Sequence, residues 1–487
     1  MRDIYFTDYF EVDKEHLDQY GAFNISLVTD LPLFVDPFLL FNSEKQEYQH
    51  LHKCIIDYLR FLRAKSESGH TSPALLKAWY CFSEVRQNWL GFCSTGNIGR
   101  GLGLDFATAL NRNLVNVFKN FGEEQVTKGS HIEKLTLIDR GVGRDMISDF
   151  TTNLIKDYLL EYTANFAKEY VDVRKREDFA VQRAVFNYKT ETWMTKHYSL
   201  PIHNNDFVIL TPKDILTKEE TWINHSDMIR RFQDIPNAIG NAELRDQINN
   251  YFYSMIPKEK PTRDDYGRAA YEALRRFPQI MDYYIRFKED NGNQATTSSM
   301  KKVAESDKRY VEQGHEFAFL LSRLSGFYRI GGTTKQEVKQ KIDFLKDVIE
   351  NKGGHRIFYL NDEPIRREED LHILFRLTWA DTELDISREV NDGRGPVDFK
   401  VSRGAYDKTL VEFKLASNPQ LKRNLSKQLE IYKKASGAKV GYKVIIYFSI
   451  DELSRVEKIL EELKMDDDPN IILIDARRDN KPSGSKA

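Results

Sequence analysis

Apolar and polar positions alternate most clearly near the end of this chain. Residues 396–403, PVDFKVSR, and 409–416, TLVEFKLA, show the two-residue period of half-buried strands. Between them, Gly404-Ala405-Tyr406-Asp407-Lys408 carries turn residues, so the pattern predicts a hairpin. The period changes to that of a helix on either side. Residues 366–380 place Leu371, Leu374, Phe375, Thr378 and Trp379 on one stripe, and residues 420–436 do the same with Leu421, Leu425, Leu429 and Tyr432. Further strands are expected near 383–390 and at 442–449, YKVIIYFS. The predicted order is helix, three strands, helix, strand.

The preceding sequence is richer in helical patterns. Residues 44–64 present Leu51, Ile55, Tyr58 and Leu62 inward, and residues 145–170 read as one long helix. The clearest strand there is Asn204–Leu210. Residues 263–325 read as helical with a break at the polar run 291–299, and 335–351 as another helix. A length of 487 residues allows two or three domains. The expected division is a mainly helical α+β N-terminal domain (1–255) that senses, binds or assembles, a helical connector (256–330), and an α/β C-terminal domain (331–487) with a mixed sheet flanked by helices.

The chemistry-bearing residues lie on the predicted hairpin. Side chains two apart on a strand share a face, so Glu412 and Lys414 lie together while Val411, Phe413 and Leu415 point to the core. Antiparallel pairing brings Asp398 beside them. Two carboxylates suit a hard divalent cation, Mg²⁺ with Mn²⁺ as a substitute, held by Asp398 and Glu412. Such a cation activates water and neutralises charge in phosphodiester hydrolysis, and Lys414 would orient the water or stabilise developing phosphate charge. The plain alternative is a hairpin with charges on its wet face. Glu368 starts the 366–380 helix on its inward side; it is either a third acidic group or a carboxylate set against the positive end of the helix dipole. Gln428 borders the stripe of the 420–436 helix, as a site residue or as a boundary glutamine.

These residues, in this order of elements, resemble the PD-(D/E)XK nuclease superfamily over about 366–450. The resemblance implies a restriction-endonuclease-like fold. It implies metal-binding acids at Asp398 and Glu412, a catalytic lysine at Lys414, and a helix glutamate at Glu368, with Glu389 as a rival. The pair Gln428 and Tyr432 is similar to the Gln/Tyr helix of exonuclease and resolvase branches. It further implies a Mg-dependent deoxyribonuclease, with DNA favoured over RNA and a role in antiviral defence or restriction. The alternative is a nucleic-acid-binding or scaffolding protein with a vestigial nuclease fold. Farther forward, LFVDPFLLF and GVGRDMISDFTTN resemble segments of uncharacterised bacterial proteins, which implies no activity.

Charge and composition narrow this only locally. A formal charge of −2 gives no global nucleic-acid signature. Around the hairpin, however, lysines and arginines dominate, and Lys400, Arg403, Lys422, Arg423 and Lys427 are the candidate backbone contacts. Cys54, Cys81 and Cys93 form no ligand or disulfide pattern. No signal-peptide or membrane-spanning pattern is read, so the expected location is cytoplasmic, with any homo-oligomer or partner protein contacted through 1–255. Gly99-Arg100-Gly101-Leu102-Gly103 lacks the Lys-Ser/Thr of a P-loop and reads as a turn.

Overall fold

The structure is a computed structural model. It describes all residues except 1–2, 70–71, 92–100, 118–123, 139–141, 219, 325, 330, 380–384, 392–395, 404–406, 427–437, 439 and 482–487. The chain is mixed α/β, with several small sheets and one larger mixed sheet in the C-terminal region. Among the described residues no helix is long and apolar enough to cross a membrane.

In the N-terminal part, helix α1 (Gln46–Glu67) covers the predicted 44–64. The single helix expected at 145–170 is two, α2 (Arg144–Leu154) and α3 (Lys156–Tyr170), which break at Ile155. A long hairpin follows, β1 (Arg176–Asn187) and β2 (Thr192–His203), and the short strand Asp206–Phe207 pairs with the end of β2. Sequence reading misses this hairpin because much of β1 and β2 is exposed or half-buried, so the apolar alternation is weak. The strand expected at 204–210 shrinks to that two-residue pair. Leu102 exchanges backbone hydrogen bonds with Phe82, and Gly101 takes the left-handed φ of 62° where a Cβ would strike the backbone of residues 82–84. Gly101 therefore serves a tight backbone approach.

The polar run at 291–299 does not interrupt the helices as expected. Helix α4 (Ile280–Asp290) is followed directly by α5 (Gly292–Ser306). Small residues are what let α5 pack: Ala295 and Ser299 are buried, and the Ser299 hydroxyl donates to the Leu216 carbonyl at 2.5 Å. A π-helical turn, Asp307–Glu312, joins α5 to α6 (Gln313–Leu324). At Gly314 a Cβ would lie 2.5 Å from the Tyr5 hydroxyl and 3.3 Å from a Leu377 methyl, so glycine is what lets three elements close there.

The C-terminal region follows the predicted order. Helix α7 is Thr334–Asn351 and α8 is Glu368–Thr378. Strands β3 (Asp385–Asn391), β4 (Pro396–Arg403), β5 (Asp407–Leu415), β6 (Val440–Tyr447) and β7 (Ile471–Asp475) form one sheet in the order β7-β6-β5-β4-β3. The pairs β3/β4 and β4/β5 are antiparallel, whereas β5/β6 and β6/β7 are parallel. Helices α7 and α8 cover one face, with Phe375 stacked on Phe413 at 4.0 Å between centroids. Helix α9 (Ile450–Leu463) and the helical residues 421–426 cover the other, through Leu421, Leu425, Ile445, Val456 and Ile459. Central strands β5 and β6 are thus buried on both faces.

Helix α8 belongs to two cores at once. Leu371, Leu374 and Phe375 pack with the sheet, while Ile373 and Leu377 pack among the N-terminal apolar residues.

Candidate active site

Burial of β5 on both sides changes the character of the hairpin. Glu412, Lys414 and Asp398 are 3, 7 and 8 % exposed, so their charges do not stand on a wet face. Buried charges persist only when paired and hydrogen-bonded. Here the pairing is mutual. The Lys414 Nζ lies 3.3 Å from Glu368, 3.4 Å from Asp398 and 3.5 Å from Glu412. Three carboxylates from α8, β4 and β5 therefore surround one ammonium.

The end of a ladder explains how they meet. Register between β4 and β5 runs from Asp407↔Arg403 to Val411↔Phe399 and stops there. Beyond it, the β5 amides on that edge need other acceptors. Phe413 N–H donates to Asp398 Oδ2 at 2.7 Å, and Leu415 N–H to Glu368 Oε1 at 3.2 Å. Two of the three carboxylates thus replace the missing strand as acceptors, which holds them within reach of Lys414. Asn418 adds a 2.7 Å hydrogen bond to Glu368 Oε1.

Sequence reading missed His372 and Asn418. His372 Nε2 lies 3.1 Å from Asp398 Oδ2 and 3.3 Å from the Phe413 carbonyl. Both partners are acceptors, so Nε2 carries the proton and donates. The available signal was its place four residues after Glu368, on the same helix face.

The electrostatics separate the two hairpin acids. Burial alone would raise Asp398, but His372, Lys414 and the Phe413 amide outweigh it and hold the carboxyl down to about 2. Glu412 is raised to about 7: burial and the Asp398 charge exceed the help from Lys414 and Lys443. Lys414, despite its burial, is pushed well above the usual lysine value by Asp398, Glu412 and Glu368. Lys443 is paired with Glu412 across β5/β6 and donates to the Leu425 carbonyl at 2.5 Å.

The donor set suits a hard cation in charge and kind. Three carboxylates face two lysines, so one buried negative charge remains when all are ionised. Among the described residues, however, no three His, Cys, Asp or Glu side chains form a group that could hold a metal ion. In the arrangement described, Lys414 takes the central place among the carboxylates.

The candidate nucleic-acid contacts divide. Lys400 is on the same face of β4 as Asp398, by alternation. Arg403 is on the opposite face with Phe399 and Val401, where its Nη2 lies 3.3 Å from Glu337 of α7. Lys422 pairs with Glu462 at 2.6 Å, and Arg423 is exposed. Lys427 and Gln428 lie outside the described residues. Glu389 falls in register between Arg388↔Phe399 and Val390↔Val397, which is opposite Asp398, and its side chain lies outside the described residues.

Two family models match this chain. Residues 11–224 match a domain of unknown function (DUF8370), and residues 334–450 match a second one (DUF8371). The second match contains Glu368, His372, Asp398, Glu412 and Lys414. No curated protein and no solved structure matches the chain.

Proposed function

We propose that this protein is a Mg²⁺-dependent nuclease of the PD-(D/E)XK type, acting on DNA in preference to RNA through its C-terminal, restriction-endonuclease-like sheet. The observation that carries the reading is the Lys414 ammonium, buried among Asp398, Glu412 and Glu368 at the point where β4 leaves β5. Asp398 and Glu412 would hold Mg²⁺, or Mn²⁺ in its place. The bound cation supplies an acidified water and a counter-charge for the phosphate. Asp398 stays ionised because His372 and the Phe413 amide fix one of its oxygens. Glu412 must give up its proton to act as a ligand. Lys414 is kept cationic by Asp398, Glu412 and Glu368 and would offer its positive charge to the scissile phosphate. Lys400, on the face of Asp398, and the exposed Arg423 would meet the nucleic-acid backbone, together with Arg403 and Lys422, which also pair with Glu337 and Glu462. The N-terminal part would sense, position or assemble, in keeping with a role in antiviral defence or restriction.

One observation favours the second reading, a nucleic-acid-binding or scaffolding protein with a vestigial nuclease fold. Asp398 and Glu368 also satisfy strand amides, a purely structural task. The test is direct. The purified full chain is incubated with plasmid, linear duplex, single-stranded DNA and RNA, in Mg²⁺, Mn²⁺ or EDTA. Metal-dependent cleavage of DNA, abolished by EDTA, is expected; retention of nucleic acid without cleavage in any metal selects the scaffold reading.

Metal binding should also be pH-linked through Glu412. Its folded value of about 7 exceeds the ordinary 4.5, so the folded protein keeps this proton between those values. Mg²⁺ affinity by calorimetry is expected to rise about tenfold per pH unit below pH 7 and to level off above it. Glu412→Gln should remove the slope. The same raised value makes Glu412 cost stability as pH climbs through this window. Asp398, depressed from 3.8 to about 2, contributes stability above its ordinary value that is lost as pH falls toward 2. A Mg²⁺ affinity independent of pH between 6 and 8 would exclude a ligand carboxyl at Glu412 that holds its proton up to about 7.

A further inference from the structure

Two residues after Glu368, the first turn of α8 carries a buried carboxylate that the site does not use. Asp370 is 4 % exposed and faces away from the sheet. Its partners come from two distant stretches of chain. Arg309 and the Tyr310 hydroxyl, both in the π-helical turn, donate to its two oxygens. Lys218 Nζ, near the end of the N-terminal part, lies 3.5 Å from Oδ1 and 4.9 Å from the Tyr310 ring centroid. Tyr310 is held in turn, because the Tyr5 hydroxyl donates to its carbonyl.

This arrangement is not needed to cap a helix. An acidic residue in a first turn is satisfied by the helix dipole and water. Here three donors, from residues 152, 61 and 60 positions away, meet on one oxygen pair. The π turn is what delivers two of them. It carries one extra residue per turn, which rotates Arg309 and Tyr310 relative to a continuous α-helix. On the same helix, Ile373 and Leu377 lie in the N-terminal core. The start of α8 is thus gripped from one side by Lys218 of the N-terminal part and by the π-helical turn that follows α5, while Glu368 reaches the other way to Lys414, Leu415 and Asn418.

We propose that Asp370 is a positioning residue, through which Lys218 and the π-helical turn hold Glu368 against Lys414 and so make the rate of the C-terminal site depend on the N-terminal part. The inference rests on reading Glu368, Asp398, Glu412 and Lys414 as a reaction centre. Its geometric half stands apart from that reading. Glu368 accepts from the Leu415 amide, whereas Asp398 accepts from the Phe413 amide two residues away. These amides report separately on the two carboxylates.

The experiment uses the full chain and residue-resolved hydrogen exchange. Lys218→Met and Tyr310→Phe each remove one donor to Asp370 far from the reacting groups. Both should speed exchange at the Leu415 amide about tenfold and leave Phe413 unchanged. Lys218→Arg, which keeps the charge, should restore slow exchange at Leu415. In turnover, kcat should fall about tenfold to a hundredfold with KM and Mg²⁺ affinity preserved. Unchanged exchange at Leu415 in both variants overturns the proposal, as does equal acceleration at Leu415 and Phe413, which would report general loosening. If the wild-type chain cleaves nothing yet Leu415 responds as stated, the nuclease reading fails while the grip on Glu368 stands.

Discussion

Replacing Lys414 with methionine is expected to abolish cleavage while tightening metal binding. The two effects have one origin. Lys414 is the cation now shared by Asp398, Glu412 and Glu368, at 3.3–3.5 Å. It therefore competes with a divalent ion for the same carboxylates. Methionine keeps much of the volume and removes the competitor, so Mg²⁺ titration should show a lower Kd than the wild type. Without metal the variant should be destabilised by ~3–5 kcal/mol, because the buried Asp398 and Glu412 and the half-buried Glu368 lose their main counter-charge, and saturating Mg²⁺ should recover much of this. Cleavage should nonetheless fall by about 10³-fold, the scale seen when a charge-stabilising group is removed from a reaction centre. Asp398→Asn separates the roles: it should weaken both metal binding and cleavage. Asparagine is the better choice than alanine there, because alanine would strand the Phe413 amide, at a cost of ~1–3 kcal/mol. Wild-type cleavage by Lys414→Met would remove this lysine from the mechanism.

A fragment beginning near residue 331 is expected not to fold stably. Judged by sequence alone, such a fragment would retain the metal site and have altered substrate choice or lose its regulation. The packing argues otherwise. The core that supports β5 includes Phe317, Leu321 and Phe327, all before that cut. The cut also exposes Ile373 and Leu377, whose neighbours are N-terminal. Five buried side chains at ~1.5–3 kcal/mol each amount to on the order of 10 kcal/mol. A whole domain commonly has only ~5–15 kcal/mol of net stability. Circular dichroism and denaturant titration should show no cooperative transition for 331–487, and a fragment beginning before α5 should recover part of it. Cooperative unfolding of 331–487 with the midpoint of the full chain would refute this packing argument.

Much of the C-terminal region could be read from local pattern. The period of 2 in β4 and β5 puts Glu412 with Lys414 and opposite Phe413, whatever surrounds them, because alternation is a property of extended backbone. The helical phase of α8 likewise places Glu368 on the side that meets β5. The order of helices and strands followed from the same changes of period. Local pattern also contained a signal left unused: Arg403 has the parity of Phe399 and Val401, so it leaves the sheet on the face of α7, away from Lys400 and Asp398.

What local pattern could not supply was the set of partners. An alternating strand reads the same whether its polar side meets water or a second layer. Only the second layer on that face of the sheet, with Leu425 of residues 421–426 bound by Lys443 beside Glu412, turned Glu412 and Lys414 into a buried, mutually dependent pair. The capture of the Phe413 and Leu415 amides by Asp398 and Glu368 required β4 to part from β5 after Val411, a register no composition reveals. Small polar residues at 291–299 suggested a linker, because helix propensity is weak there; α5 forms because tertiary packing accepts Ala295 and Ser299 and rejects bulk. Asp370 shows the limit most plainly. In sequence it is one acid among three at a helix start, and only the fold brings Lys218, Arg309 and Tyr310 to it. Periodicity is determined by neighbours within a few residues, whereas burial, charge balance and the identity of a partner are set by segments that meet across the fold.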